Sequence, residues 1–423
     1  MTGLNSHSPA AGHRRSSGIS HEPSVAVVGG GITGLTAAYR LKQAGIHVTL
    51  FEAGYRVGGV IQSIRHNGFL AEYGPNTILE TSPRIGELLR DLRLTGRMIY
   101  SAPEAEKRYI ARNWRLVEVP SSPAKFFSTD LFSWKAKARL LREPFIRKAP
   151  ADMEENLEQF VLRRLGREFL DYAINPFVAG VYAGDPARLS VKYAFPKLHA
   201  LEQTYGSLIR GQILGARERR QRGEVSRQRA KKLSFDEGLQ VLIDALEREL
   251  ADTIVLRTPV EMLEQLDDGW RLHVPSETRK FDAVLLAAPA HKLGQIKLDI
   301  RSEVSFKPLL KIHYPPVTSV VLGFRREDVS HPLDGFGVLV PEVERMNILG
   351  TIFSSSLFPN RAPEGHVTLT VYLGGARNPR ISLEDRTTVR RLVLNDLNRL
   401  LGVKGKPVFE HHTTFRNAIP QYE

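Results

Sequence analysis

Gly29, Gly31 and Gly34 follow a short β-branched run, Val25 to Val28, and give the spacing GxGxxG at the head of a segment whose Leu35, Ala38, Leu41 and Ala44 share one helical face. Residues of this type and spacing bind phosphate. Gly29 permits a tight turn, Gly31 lets backbone approach a pyrophosphate, and Gly34 lets the helix pack close to the preceding strand. The unpaired N–H groups of the helix start, at Ile32 and Thr33, together with the helix dipole, favour negative charge there. About twenty residues on, Glu52 ends a second strand and Ala53 follows it, so a carboxylate stands where it would accept hydrogen bonds from a ribose diol and repel a 2′-phosphate. The plainer alternative is a βαβ unit whose glycines only ease packing. A lone GxGxxG would not decide between the two, but strand, spacing, helix and terminal acid all agree here.

Arg56 and the doublet Gly58, Gly59 come next in AGYRVGGVIQS, and Gly74, Pro75 and Asn76 in GFLAEYGPNTI. A guanidinium suits phosphate, and a second Gly-rich turn brings backbone N–H groups to a ligand with no Cβ in the way. The alternative is a mobile surface loop. With its GG doublet the stretch resembles the extended signature of FAD-dependent amine oxidases, desaturases and protoporphyrinogen oxidases. That resemblance implies FAD as the cofactor, with Gly74 to Asn76 bordering the isoalloxazine ring.

The elements that must position these residues are of several kinds. TIVLRTPVEMLEQ reads as a strand entering Val260, a further cofactor-side position, and FDAVLLAAPA as a fully buried strand. Ser82 and Pro83 open a helix, Lys107 to Pro120 alternates as an edge hairpin, and residues 124–210 carry mainly helical patterns. From Val317 to Gly375 strands alternate with turns, and Ser382 and Asp385 cap a last helix ended by Gly402. The fold class is α/β: a Rossmann-like FAD-binding domain (24–95 and 233–300), a mixed-sheet substrate domain (96–120 and 301–423), and a helical domain with a basic loop (121–232) suited to a membrane surface. Residues 1–23 read as a disordered leader whose Arg and Ser content also fits a weak transit peptide.

Composition narrows the chemistry further. With no cysteine among 423 residues, disulfides, thiolate metal sites, a cysteine nucleophile and a cysteinyl-flavin bond are excluded. No metal site and no catalytic side chain stands out. Residues 210–232 hold nine Lys/Arg against two Glu, seven of the net charge of +13. This segment reads as a solvated loop, with anionic lipid as the functional alternative, and nucleic acid is not expected because no aromatic platform accompanies it. Phe126, Phe127, Phe132 and Trp134 beside Lys125, Lys135 and Lys137 are core or an interfacial anchor. No apolar window is long enough to span a bilayer, so the expected location is cytoplasmic with peripheral attachment to an inner membrane.

KRYIARN at 107–113, NPFVAGVYAGDPARLSVKYAFPKL at 175–198, SFDEGLQVLIDAL at 234–246, and GFGVLVP with LGTIFSSSLFPNRAP between Gly335 and Pro363 together resemble the protoporphyrinogen oxidases, FAD enzymes of haem biosynthesis. The resemblance implies oxygen as acceptor and a porphyrinogen as substrate, with a homodimer on a membrane surface. It also implies site residues. Arg108 would pair with a propionate, Leu339 and Ile352 would clamp one pyrrole ring, Tyr372 would stack on another, and Gly180 would turn its carbonyl to the macrocycle. Tyr372 stands where plant-type relatives have Phe, which implies a more polar pocket. Coproporphyrinogen, another GG-doublet oxidase or desaturase, and a non-catalytic porphyrin-binding fragment are the competing readings. The family pattern continues past FRNAIPQY with a flavin-closing segment, so a chain ending at Glu423 is expected to hold FAD weakly.

Overall fold

The computed structural model describes residues 22–150, 153–221 and 230–423. The leader therefore lies outside the described residues, apart from its last two. The β-branched run forms β1 (Ser24–Val28), followed by α1 (Ile32–Gln43) and β2 (His47–Phe51). The two strands are parallel, with Val25 opposite Val48 and Val28 opposite Phe51. Ile254–Val255 adds outside β2 and Ala283–Leu286 outside β1, all parallel, making a four-stranded sheet. Helices cover one face through Val27, Leu35, Leu50, Ile243 and Leu246, and a β-meander spanning Met262–Leu266, Gly269–Val274 and Glu277–Phe281 covers the other through Ala26, Val28, Phe51 and Val260. The expectation of a fully buried strand at FDAVLLAAPA is corrected. Ala283–Leu286 is an outer strand of this sheet, and Val284, Leu285 and Leu286 are half-buried because one edge has no strand beside it among the described residues.

A second sheet has seven strands in the order Phe409–Phe415, Val317–Arg325, His366–Gly374, Ile348–Phe353, Gly337–Leu339, Arg108–Arg112 and Arg115–Glu118. Alternation divides its side chains into two faces. Tyr109, Val320, Leu322, Val338, Phe353, Leu369 and Val371 pack with Val389, Val393 and Leu397 of the helix Arg386–Leu401 in a closed core. The other face carries the substrate-side candidates. A small three-stranded sheet, Ile78–Leu79, Lys232–Phe235 and Met98–Tyr100, ties the two large sheets together.

Helices between 123 and 221 build the third unit around Leu157, Phe160, Val161, Val178 and Leu189. The reading of 210–232 as a loop is corrected over its first half. The helix Leu208–Gln221 continues through it, as the Leu, Ala, Arg, Gln and Glu content favours, while 222–229 lie outside the described residues.

Candidate functional site

The Gly-rich turn between β1 and α1 has the conformation its sequence demands. Gly29 sits at φ +110°, and a Cβ there would stand 2.9 Å from the Ala287 backbone. A Cβ on Gly34 would overlap the Gly29 carbonyl oxygen, whereas one on Gly31 would meet nothing within 4 Å. Gly29 and Gly34 are therefore required by packing. Gly31, at the N-cap, borders open space. The first turn of α1, with Ile32 and Thr33, carries no acid.

The second turn is fastened to the first. The Gly58 N–H donates to the Gly30 carbonyl at 2.7 Å, and Gly58 and Gly59 both have positive φ. The Glu52 carboxylate accepts from the N–H of Gly30 and from that of Gly54, each at 2.7 Å, which holds it over the turn beside Ala53. The Arg56 guanidinium donates to the carbonyls of Val57, Ile61 and Gly59 and so braces the GG turn. Residues 257–258 run alongside, Arg257 N–H to Gly54 and Thr258 N–H to Glu52, and lead to Val260, which is buried.

The register of the seven-stranded sheet aligns the substrate-side candidates. Ile110, Leu339, Gly350, Tyr372 and Ser319 form one cross-strand row, and Arg108, Gly337, Ile352 and Thr370 form a second, two residues along. Both rows therefore share the face opposite the closed core. Gly337 and Gly350 bring no side chain to this face, and a Cβ at either would meet neighbouring backbone. Gly180, on the helix Asn175–Tyr182, lies so close to Leu339 that a Cβ would overlap that side chain, and Phe177 and Val181 of the same helix are exposed beside it. Tyr372 joins the two halves of the site. Its hydroxyl accepts from Asn76 Nδ2 at 2.6 Å and reaches the Gly74 carbonyl at 3.4 Å, so Gly74, Pro75 and Asn76 border this face. Burial raises the Tyr372 pKa, with Glu72 adding to the effect, so the hydroxyl stays protonated. Its hydroxyl is thereby engaged by the Gly74–Asn76 turn.

The sequence pattern of the flavin containing amine oxidoreductases matches residues 32–423. The chain belongs to this family. Its relatives include protoporphyrinogen oxidase 2, chloroplastic/mitochondrial, of Arabidopsis thaliana, 37% identical over 94% of this chain and 84% of that protein. Coproporphyrinogen III oxidase of Bacillus subtilis is 30% identical over 94% and 87%. A crystal structure of a candidate protoporphyrinogen oxidase from Exiguobacterium sp. 255-15 superposes with a TM-score of 0.77 over 95% of this chain and 88% of that one, at 24% identity, and so shares the fold.

As a flavin containing amine oxidoreductase, the chain takes FAD as its cofactor. The residues present fit it. An acid-free helix start opens beside Gly31, a carboxylate is already positioned by two N–H groups, and the apolar face begins at Asn76 and Tyr372. Two further residues of that face, Ile110 and Thr370, were not singled out from the sequence, and both are buried, Ile110 in a cluster with Phe132 and Phe169 and Thr370 with its hydroxyl on Ser354. Period-two alternation from Arg108 and from Tyr372 would have found them, had the register been known.

Proposed function

We propose that this chain oxidises protoporphyrinogen IX to protoporphyrin IX, with oxygen as final acceptor. The observation that carries the reading is the shared face of Arg108, Leu339, Ile352 and Tyr372, joined to the Gly74–Asn76 turn by one hydrogen bond. Bound FAD would supply a hydride acceptor for a methylene bridge of the porphyrinogen and a route for the electrons to oxygen, with hydrogen peroxide as the reduced product. The start of α1 and Gly31 would hold its diphosphate, and Glu52 would take the ribose diol. Leu339 and Ile352 hold a pyrrole ring by dispersion, and Tyr372, fixed by Asn76, sets how far the macrocycle enters. Their apolar surface excludes water from the reacting carbon, and Arg108 fixes orientation through a propionate. The proton released with each hydride passes to solvent, and no side chain is assigned as base.

A second reading, oxidation of coproporphyrinogen III, is supported by the Bacillus subtilis relative. Peripheral attachment to a bilayer is supported by Trp134, Leu141, Phe145 and Ile213, all largely exposed, with the Arg210 guanidinium 6.0 Å from the Phe145 ring centre. Among the described residues no helix is long and apolar enough to cross a membrane.

The test supplies the FAD-loaded chain with each porphyrinogen in air and follows porphyrin fluorescence and peroxide. Protoporphyrin formed faster than coproporphyrin supports the primary reading, the reverse order supports the second, and turnover of an amine with neither porphyrinogen oxidised defeats both.

A further inference from the structure

Lys232 begins the strand Lys232–Phe235 and pairs with Leu79. Its ammonium lies 6.0 Å from the centre of the Phe336 ring. Phe336 packs, as Ile352 does, against the cluster of Ala105, Leu357 and Phe358, and directly precedes Gly337, the register partner of both Arg108 and Ile352. Lys232 therefore stands near the end of that sheet face that carries Arg108 and Ile352.

The two cations also share a deficit. Lys107 pairs with Asp334, and Arg112 pairs with Glu168 at 2.8 Å, but neither Arg108 nor Lys232 has a side-chain hydrogen bond or an ion pair among the described residues. Lys232 is half-buried, and its pKa is lowered first by that burial and then by Arg108, with Glu106 acting in the opposite direction. Glu106 offsets this only in part and makes no ion pair with Lys232 among the described residues, so a further anion between the two cations is favourable.

We infer that Lys232 and Arg108 form a two-point clamp for two carboxylates of the macrocycle, one each, which makes Lys232 a specificity-determining residue. The inference rests on the porphyrinogen oxidase reading. Arg108 presents a planar fork that fixes one carboxylate in direction, while Lys232 supplies a point charge on a flexible stem and accepts the second over a wider range of approach.

The test compares the FAD-loaded wild type with Lys232→Met, which keeps the stem over Phe336, and with Lys232→Arg. The substrates are protoporphyrinogen IX and its dimethyl ester. The expected result for Lys232→Met is a KM for the diacid raised about tenfold with kcat within about twofold, recovery in Lys232→Arg, and an unchanged KM for the ester. Binding of protoporphyrin, read by fluorescence quenching, should weaken in parallel. Lys232→Gln replaces Lys232→Met if the latter fails to fold. A diacid KM within about twofold of wild type, or an equal rise for the ester, overturns the clamp while leaving the function standing. A wild type that neither oxidises nor binds either tetrapyrrole overturns both.

Discussion

Gly31 and Gly34 separate what the fold requires from what a ligand requires. A Cβ on Gly34 would overlap the Gly29 carbonyl oxygen, and backbone cannot yield as a side chain does, so Gly34→Ala should cost about 3 kcal/mol or more and lower the melting temperature of the flavin-free chain. Gly31 has ordinary φ and open space in front of it, so Gly31→Ala should leave that melting temperature within a degree or two while abolishing flavin absorbance after reconstitution. Equal loss of stability in both would show that Gly31 also serves packing. Tyr372 makes a similar division. Its hydroxyl is the acceptor for Asn76 Nδ2, which would keep only the Gly74 carbonyl at 3.2 Å in Tyr372→Phe. The expected cost is about 1 kcal/mol in urea unfolding, with the porphyrinogen KM within about twofold of wild type. A larger shift in KM would mean that the hydroxyl reaches substrate after all.

Among the elements, the helical unit depends on a polar centre. Arg164 is fully buried on the helix Leu157–Arg164 and meets Glu143 at 3.1 Å and Glu202 through two nitrogens, while Ser207 and the Leu208 N–H complete Glu143. Truncating such a group leaves carboxylates buried without their cation. Arg164→Met should therefore destabilise this unit by about 3 kcal/mol, at the low end because Arg163 still pairs with Glu202 at 2.7 Å. Hydrogen exchange checks it: amides of residues 157–164 and 196–215 should lose protection while those of β1 and β2 keep theirs. None of this was legible in the sequence, where Arg164 reads as the polar side of an amphipathic run, because its partners lie 21 and 38 residues away. The helix starts were legible, since their chemistry is local: Ser82 accepts from Arg84 N–H and Asp385 from Thr387 and Thr388. The outer position of Ala283–Leu286 was not. A run of apolar residues gives a strand but not its neighbours.

Across the whole molecule, the sequence carried the phosphate turn and the alternating strands. It could not carry the register that puts residues 108, 339, 352 and 372, from four strands, on one face, because register is fixed by pairing over long separations. The same long-range packing buries histidines, which gives a property of the chain as a whole. His291 near the parallel sheet, and His331, His411 and His412 at the seven-stranded sheet, all have lowered pKa values, in each case chiefly through burial. A histidine whose folded pKa lies below its unfolded value of about 6.5 gives the unfolded chain the greater proton affinity. Its contribution is then complete above about pH 6.5 and drains as pH falls through that value towards the folded pKa, by at most about 1.4 kcal/mol per pH unit for each group. Glu72 and Asp396, raised by burial, have the opposite sign, since the folded chain takes up their protons first. Four histidines titrating together should outweigh two carboxylates whose ordinary values lie lower. The melting temperature should therefore fall between pH 7.5 and 5.5. His411→Asn, which removes the ring stacked 4.1 Å from Tyr73, should make that fall shallower even though it lowers stability at pH 7.5. A melting temperature that rises or stays flat across this interval would mean that the buried carboxylates, not the histidines, govern how acid acts on the fold.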